Sequence, residues 1–170
     1  ELDISPVLAQ LLVQRGITTK SDADKFFKPQ LKDLYDPFLM KDMDKAVDRL
    51  NKALGDKERI LVYGDYDVDG TTAVALVYKC LIQYSNSSSD IGYYIPDRYK
   101  EGYGISYTGI DYAHEQGYTL VIALDCGIKA VEKIKYAKEK GIDFIICDHH
   151  VPDDTLPDAV AVLDAKRLDN

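Results

Sequence analysis

The sequence predicts an α/β fold, a three-layer domain with a mainly parallel five-stranded sheet flanked by helices and preceded by a short helical N-terminal segment. Three observations lead there. From Arg59 onward, short apolar runs alternate with helical stretches. The runs are continuous rather than alternating polar and apolar, which marks strands covered on both faces, as in parallel sheets. Three of the runs stop at an aspartate, and folds of this kind place ligands at the carboxyl ends of their strands.

In chain order, Ser5-Pro6 opens a helix with an N-cap and a proline at its first position. Leu8, Leu11 and Leu12 form its apolar side, and Gly16 ends it. A second helix runs from Ser21 to Phe27, and Pro29 to Pro37 is a loop. Lys41 to Leu54 carries Met43, Ala46, Val47, Leu50 and Leu54 at helical spacing, with Gly55 as its stop. Residues 1–58 therefore read as a helical segment packing on the core, and 59–170 as the sheet domain. The strand runs are Ile60–Tyr63, Ile91–Ile95, Leu120–Leu124, Phe144–Cys147 and Val160–Leu163. The helices between them are Thr71–Tyr84, Ser106–Gln116 and Ala130–Lys140. Residues 85–89 read as a flexible serine-rich connection.

Composition narrows the function. The 170 residues suit one domain. A net charge of −8 argues against a broad phosphate-tracking surface, though cations bound at acidic clusters would offset part of it. No stretch approaches a membrane span and no signal peptide is present, so a cytoplasmic location is expected. Cys80, Cys126 and Cys147 form no Cys-x-x-Cys pair and read as small buried hydrophobes in a reducing compartment.

The chemistry concentrates at the strand ends. The first strand runs into Asp65-Tyr66-Asp67-Val68-Asp69-Gly70, the third into Asp125, and the fourth into Asp148-His149-His150. In an extended segment Asp65, Asp67 and Asp69 share a face, and carboxylates so crowded call for a divalent cation. A lone strand-end Asp is often only a helix N-cap, but that does not account for the triple aspartate or the paired histidines. The pattern points to hydrolysis by a two-metal mechanism. Asp67 and Asp69 each hold an ion, Asp125 bridges, and His149 supplies nitrogen. Carboxylates with imidazole favour Mn²⁺ over Mg²⁺. His150, facing elsewhere on an extended backbone, serves as an acid or a cationic clamp near the scissile phosphate.

The ordered set resembles the DHH phosphoesterase superfamily. Asp97-Arg98-Tyr99-Lys100-Glu101-Gly102-Tyr103-Gly104, Asp36-Pro37-Phe38 and Leu156-Pro157 further resemble the RecJ family of single-stranded-DNA-specific exonucleases. That resemblance implies a 5′→3′ exonuclease of DNA repair and recombination with two divalent ions, Mn²⁺ or Mg²⁺. Asp67, Asp69, Asp125 and His149 match its metal ligands. Asp65, Asp148 and His150 match residues that orient ligands or touch the phosphate. Arg98 and Tyr103 match positions on the DNA strand, and Gly102 and Gly104 would let the backbone pass close to it. The family's next metal-binding aspartate and its C-terminal DHHA1-type domain lie beyond Asn170, and the chain opens on Glu1. The sequence is thus expected to be an N-terminal fragment, weakly active or inactive alone. Asp164-Ala165-Lys166 departs from the family in having Ala where Pro is usual, which puts the local turn in doubt.

Rival readings are another DHH phosphoesterase, acting on oligoribonucleotides, cyclic dinucleotides or pyrophosphate, or a haloacid-dehalogenase-type phosphatase with Asp67 as nucleophile. A non-catalytic receiver-like module that binds Mg²⁺ is a third. The last two leave the histidine pair without a role.

Overall fold

The computed structural model describes residues 3–85 and 91–170, so the predicted serine-rich connection lies, beyond Ser85, outside the described residues. The chain forms two compact units, Glu1–Asp36 and Pro37–Asn170. In the first, α1 (Pro6–Gln14) starts where the Ser5 hydroxyl accepts the Leu8 N–H. α2 (Lys20–Phe27) starts where the Thr19 hydroxyl accepts the Asp22 N–H at 3.1 Å and donates to the Asp22 carboxylate at 2.7 Å. Both caps satisfy N–H groups that a helix leaves unpaired.

The second unit holds α3 (Met43–Gly55), β1 (Ile60–Gly64), α4 (Val68–Ser85), β2 (Ile91–Tyr94), α5 (Tyr107–Glu115), β3 (Leu120–Leu124), α6 (Val131–Glu139), β4 (Asp143–Cys147) and β5 (Ala161–Leu163). The five strands form one fully parallel sheet in the order β2-β1-β3-β4-β5. β1 and β3 are buried at every position, which explains their unbroken apolar sequence. Their side chains alternate between two cores. Leu61, Tyr63, Val121 and Ala123 pack with Ile110 of α5 and Ile134 of α6. Ile60, Val62, Leu120 and Ile122 pack with Ala46 and Ala53 of α3 and with Val74 and Leu81 of α4.

α3 accordingly lies with the sheet, packed against β5, so the compact division falls at Asp36–Pro37 rather than at residue 58. Its end also differs from expectation. Gly55 is the last helical residue, and Lys57 takes the left-handed conformation at φ 56° that terminates the helix. Arg49 ties α3 to the sheet domain, donating to Glu58 at 2.7 Å and Asp143 at 2.7 Å. Arg167, 5% exposed along its side chain, bonds Asp42, Asp169 and the Val162 carbonyl, closing the C-terminal segment onto the start of α3. The Asp164 turn forms without proline, because the Asp164 carboxylate accepts the Lys166 N–H at 2.7 Å. Cys126 is buried and Cys147 half-buried, but Cys80 is exposed on the outer side of α4, contrary to expectation.

Candidate metal centre

Moving outward from β1, its neighbours lie to either side, β2 on one and β3 on the other. That is the point where the connections reverse direction and a crevice opens beyond the strand ends. Asp67 follows β1, Asp125 follows β3, and the His149-His150 pair follows β4.

The triple aspartate does not share one face, because the chain turns helical at Val68, before the strand period can carry to Asp69. Asp67 caps α4, one oxygen accepting the Asp69 N–H at 3.0 Å and the Gly70 N–H at 2.9 Å. Asp69 sits in the first turn and lines a cleft of about 520 Å³ with Asp125, His149 and Cys147. Asp65 is fully buried. One of its oxygens accepts the Gly104 N–H at 3.1 Å, and the other has no hydrogen-bond partner among the described residues. This geometry sets Asp65 apart from a solvent-facing acid and makes it the anchor of the Tyr103–Gly104 loop.

Asp125 occupies the left-handed region at φ 60°, with its N–H bonded to the Cys147 carbonyl at 2.9 Å. Its carboxylate meets His149 Nε2 at 3.0 Å. Burial raises its pKa and the neighbouring Asp67 charge raises it further, while His149 opposes both. Donor atoms of Asp125, His149 and His150 lie within 4.8 Å of one another. His150, expected to face elsewhere, is therefore part of the cluster. Its Nδ1 lies 2.7 Å from Asp148, which fixes the ring proton on that nitrogen. Asp148 is held from below. Burial works against its charge, but the N–H groups of Ile128, His149 and His150 and the His150 ring outweigh that and hold its carboxyl below the ordinary range.

This donor set fits a hard or borderline divalent cation. Two like-charged carboxylates approach each other, an imidazole nitrogen faces one of them, and the oxygen and nitrogen ligands are the kinds such ions take.

The Arg98–Gly104 segment wraps the crevice through a residue that sequence reasoning passed over. Glu101 accepts Tyr94 Oη at 2.9 Å, the Asp97 N–H at 2.7 Å and Ser106 Oγ at 2.5 Å. Its signal in the sequence is a lone acid between an Asp-Arg-Tyr-Lys run and two glycines. Gly102 and Gly104 both take positive φ, 80° and 76°, where a side chain would strain the turn. Tyr103 then stands over the cluster, 3.3 Å from the Asp125 carbonyl and 3.3 Å from His150 Nε2. Arg98 is exposed and lies over the Tyr66 ring at 5.2 Å, and Tyr66 in turn meets Tyr103 edge-on. A cation and two aromatic rings thus line one approach to the carboxylates and histidines.

The chain is similar to known proteins along most of its length. The chain is 43% identical over 98% of its length to the single-stranded-DNA-specific exonuclease RecJ of Bacillus subtilis. It is 34% identical over 98% of its length to RecJ of Escherichia coli. It spans 21% and 28% of those two proteins, respectively. Among solved structures, an exonuclease RecJ bound to manganese superposes with a TM-score of 0.67 at 30% identity, over 77% of this chain and 33% of that one. RecJ of Thermus thermophilus in complex with Mn²⁺ gives 0.66 at 25% identity, over 96% of this chain and 24% of that one. The model of the DHH family N-terminal domain matches residues 59–170, the stretch that carries every carboxylate and histidine of the crevice, and the chain belongs to the DHH family.

Proposed function

We propose that this chain is the metal-binding N-terminal part of a 5′→3′ exonuclease that hydrolyses phosphodiester bonds of single-stranded DNA in repair and recombination. The observation that carries the reading is the convergence of Asp125, His149 and His150 within 4.8 Å beside Asp67, at the reversal point of the sheet. The likeness to RecJ exonucleases, two of them solved with manganese, supports the substrate and the metal. The same likeness fits a further, C-terminal part of the protein, since the chain spans only 21% and 28% of those relatives.

Asp67, Asp69, Asp125 and His149 would hold two divalent ions, Mn²⁺ by preference. The ions would supply Lewis-acid activation of the phosphate and of the attacking water. Asp148 orients His150 and keeps a proton on its Nδ1. His150 presents its other nitrogen beside Tyr103 Oη, at the edge of the site where a scissile phosphate would lie. Arg98 offers a guanidinium to a backbone phosphate, and the Tyr66 and Tyr103 rings offer faces on which bases stack for roughly 1–3 kcal/mol each. Asp65 holds Tyr103 in place through the Gly104 N–H.

Calorimetric Mn²⁺ titration of this chain tests the reading. Asp125→Ala and His149→Ala are each expected to weaken binding at least about tenfold, the least that loss of a supporting residue costs at such sites. Metal binding indifferent to His149→Ala would overturn the assignment and favour an aspartate-only site of the phosphatase or receiver kind.

A further inference from the structure

Tyr103, on the loop between β2 and α5, is 52% exposed. A side chain so exposed takes its place from the backbone beneath it, and this backbone is tied down from inside. The Asp97 carboxylate accepts the Tyr99 N–H at 2.9 Å and the Lys100 N–H at 3.1 Å. Tyr63, which is buried, donates its hydroxyl to the Gly104 carbonyl at 3.0 Å and accepts the Ser106 N–H at 3.1 Å. Half-buried Glu101 joins these pieces, because its three donors stand on three elements: Tyr94 on β2, the Asp97 N–H in the loop and Ser106 at the cap of α5. One carboxylate oxygen takes the N–H and the other takes both hydroxyls. The two hydroxyl partners are themselves fixed. The Tyr94 ring stacks on Tyr63 at 5.3 Å and meets Tyr112 at 5.1 Å. Burial and the Glu101 charge push the Tyr94 phenol pKa up, which keeps its hydroxyl a donor. Ser106 Oγ also accepts the Gly109 N–H at 2.8 Å, and a methyl group at Gly109 would stand 2.6 Å from the Tyr63 ring, so the start of α5 has little room to shift.

We propose that Glu101 is a positioning residue for the substrate: its carboxylate latches the loop so that the Tyr103 ring stands over the metal cleft before a DNA strand arrives. The strand then binds without the entropic cost of ordering that ring. The inference rests on the nuclease reading for the strand, but not for the latch. Charge separates this role from an electrostatic one. A carboxylate close to a polyanion repels it, so removing the carboxylate would by charge alone tighten binding. Weaker binding on its removal therefore marks positioning.

The test uses the 170-residue chain and measures Mn²⁺ affinity, amide hydrogen exchange across residues 97–106, and binding of a short 5′-phosphorylated oligodeoxyadenylate with Ca²⁺ in place of Mn²⁺. Glu101→Ala is expected to weaken the strand at least about fivefold, the least that one stacked base contributes. It should speed exchange at Tyr103 and Gly104 by about tenfold through local opening. Mn²⁺ affinity should stay within about twofold, since no Glu101 bond goes to a proposed metal ligand. In a Tyr103→Ala background, Glu101→Ala should weaken the strand by less than about twofold more, because the latch acts through that ring. Glu101→Gln should return to within about threefold of the parent, its carbonyl taking the Asp97 N–H and its amide turning to the hydroxyls. Tyr94→Phe, which removes one latch bond and keeps the ring, should show the same effects in smaller measure, and it carries the test if Glu101→Ala does not fold. Unchanged exchange at Tyr103, a strand bound as tightly as by the parent, additive losses in the double variant, or loss of Mn²⁺ affinity would each overturn the proposal. If the parent binds no strand but its loop loosens in Glu101→Ala, the latch stands and the nuclease reading loses its substrate. Strand binding with a loop indifferent to Glu101→Ala rejects the latch and leaves the nuclease reading in place.

Discussion

Gly70 packs so tightly that a methyl group there would stand 2.4 Å from the Asp65 carbonyl oxygen. The Gly70→Ala variant is therefore expected to lose about 2 kcal/mol of stability through overpacking. Thermal denaturation should show this as a fall of roughly 6 °C. Its Mn²⁺ affinity should fall as well, since the displaced backbone carries Asp67 and Asp69. At this scale the sequence disclosed which residues matter better than where they point. Alternate aspartates imply a shared face only while the backbone stays extended. The Asp67 cap turns the chain helical at Val68, sends Asp69 into the cleft and leaves Asp65 buried beneath Gly104. The inclusion of His150 was equally hidden, because it depends on Asp148 pulling the ring back through a 2.7 Å bond.

α3 shows the same division of information among elements. Its apolar spacing announces that it packs on something but not on what, and Arg49 supplies the missing address by bonding both Glu58 and Asp143. Arg49→Met should remove about 2 kcal/mol by taking the guanidinium from Glu58, which keeps only the Thr119 hydroxyl, and from Asp143. It should also change the acid limb of the stability curve. The hydrogen bond from Arg49 holds Glu58 below its ordinary value of 4.5 despite burial, with the Thr119 hydroxyl assisting. The folded state therefore binds fewer protons than the unfolded state. The Glu58 contribution is complete above about pH 4.5 and disappears as pH falls through the lowered folded value. Urea titrations carried from neutral pH down through the strongly acidic range, below about pH 4.5, should show a shallower acid loss in the variant than in the parent. Strands and long helices were legible because burial on both faces leaves an unbroken apolar record. Their ends were not, because single side-chain caps and left-handed residues set them.

For the molecule as a whole, both cores lie within Pro37–Asn170, and α3 contributes Ala46 and Ala53 to one of them. A chain of residues 37–170 is expected to unfold in one cooperative transition. A chain of residues 59–170, although it spans the family match, loses that packing along with the Arg49 and Asp42 pairs. It should show no cooperative transition in calorimetry. Among the described residues, three that are not glycine adopt positive φ, namely Asp42, Lys57 and Asp125. They have the same backbone geometry and should have different evolutionary fates. Glycine at 57 relaxes the helix end at no cost to any ion pair, and so should be a freely accepted neutral or stabilising step of up to about 1 kcal/mol. At 42 the same exchange gives up the carboxylate that holds Arg167 and Lys45, so selection for stability should be divided. At 125 it trades the carboxylate proposed as a metal ligand for a relaxed backbone. A library selected for heat resistance alone would drift toward glycine at 57 and 125 together, and only a parallel selection for metal retention would keep the aspartate.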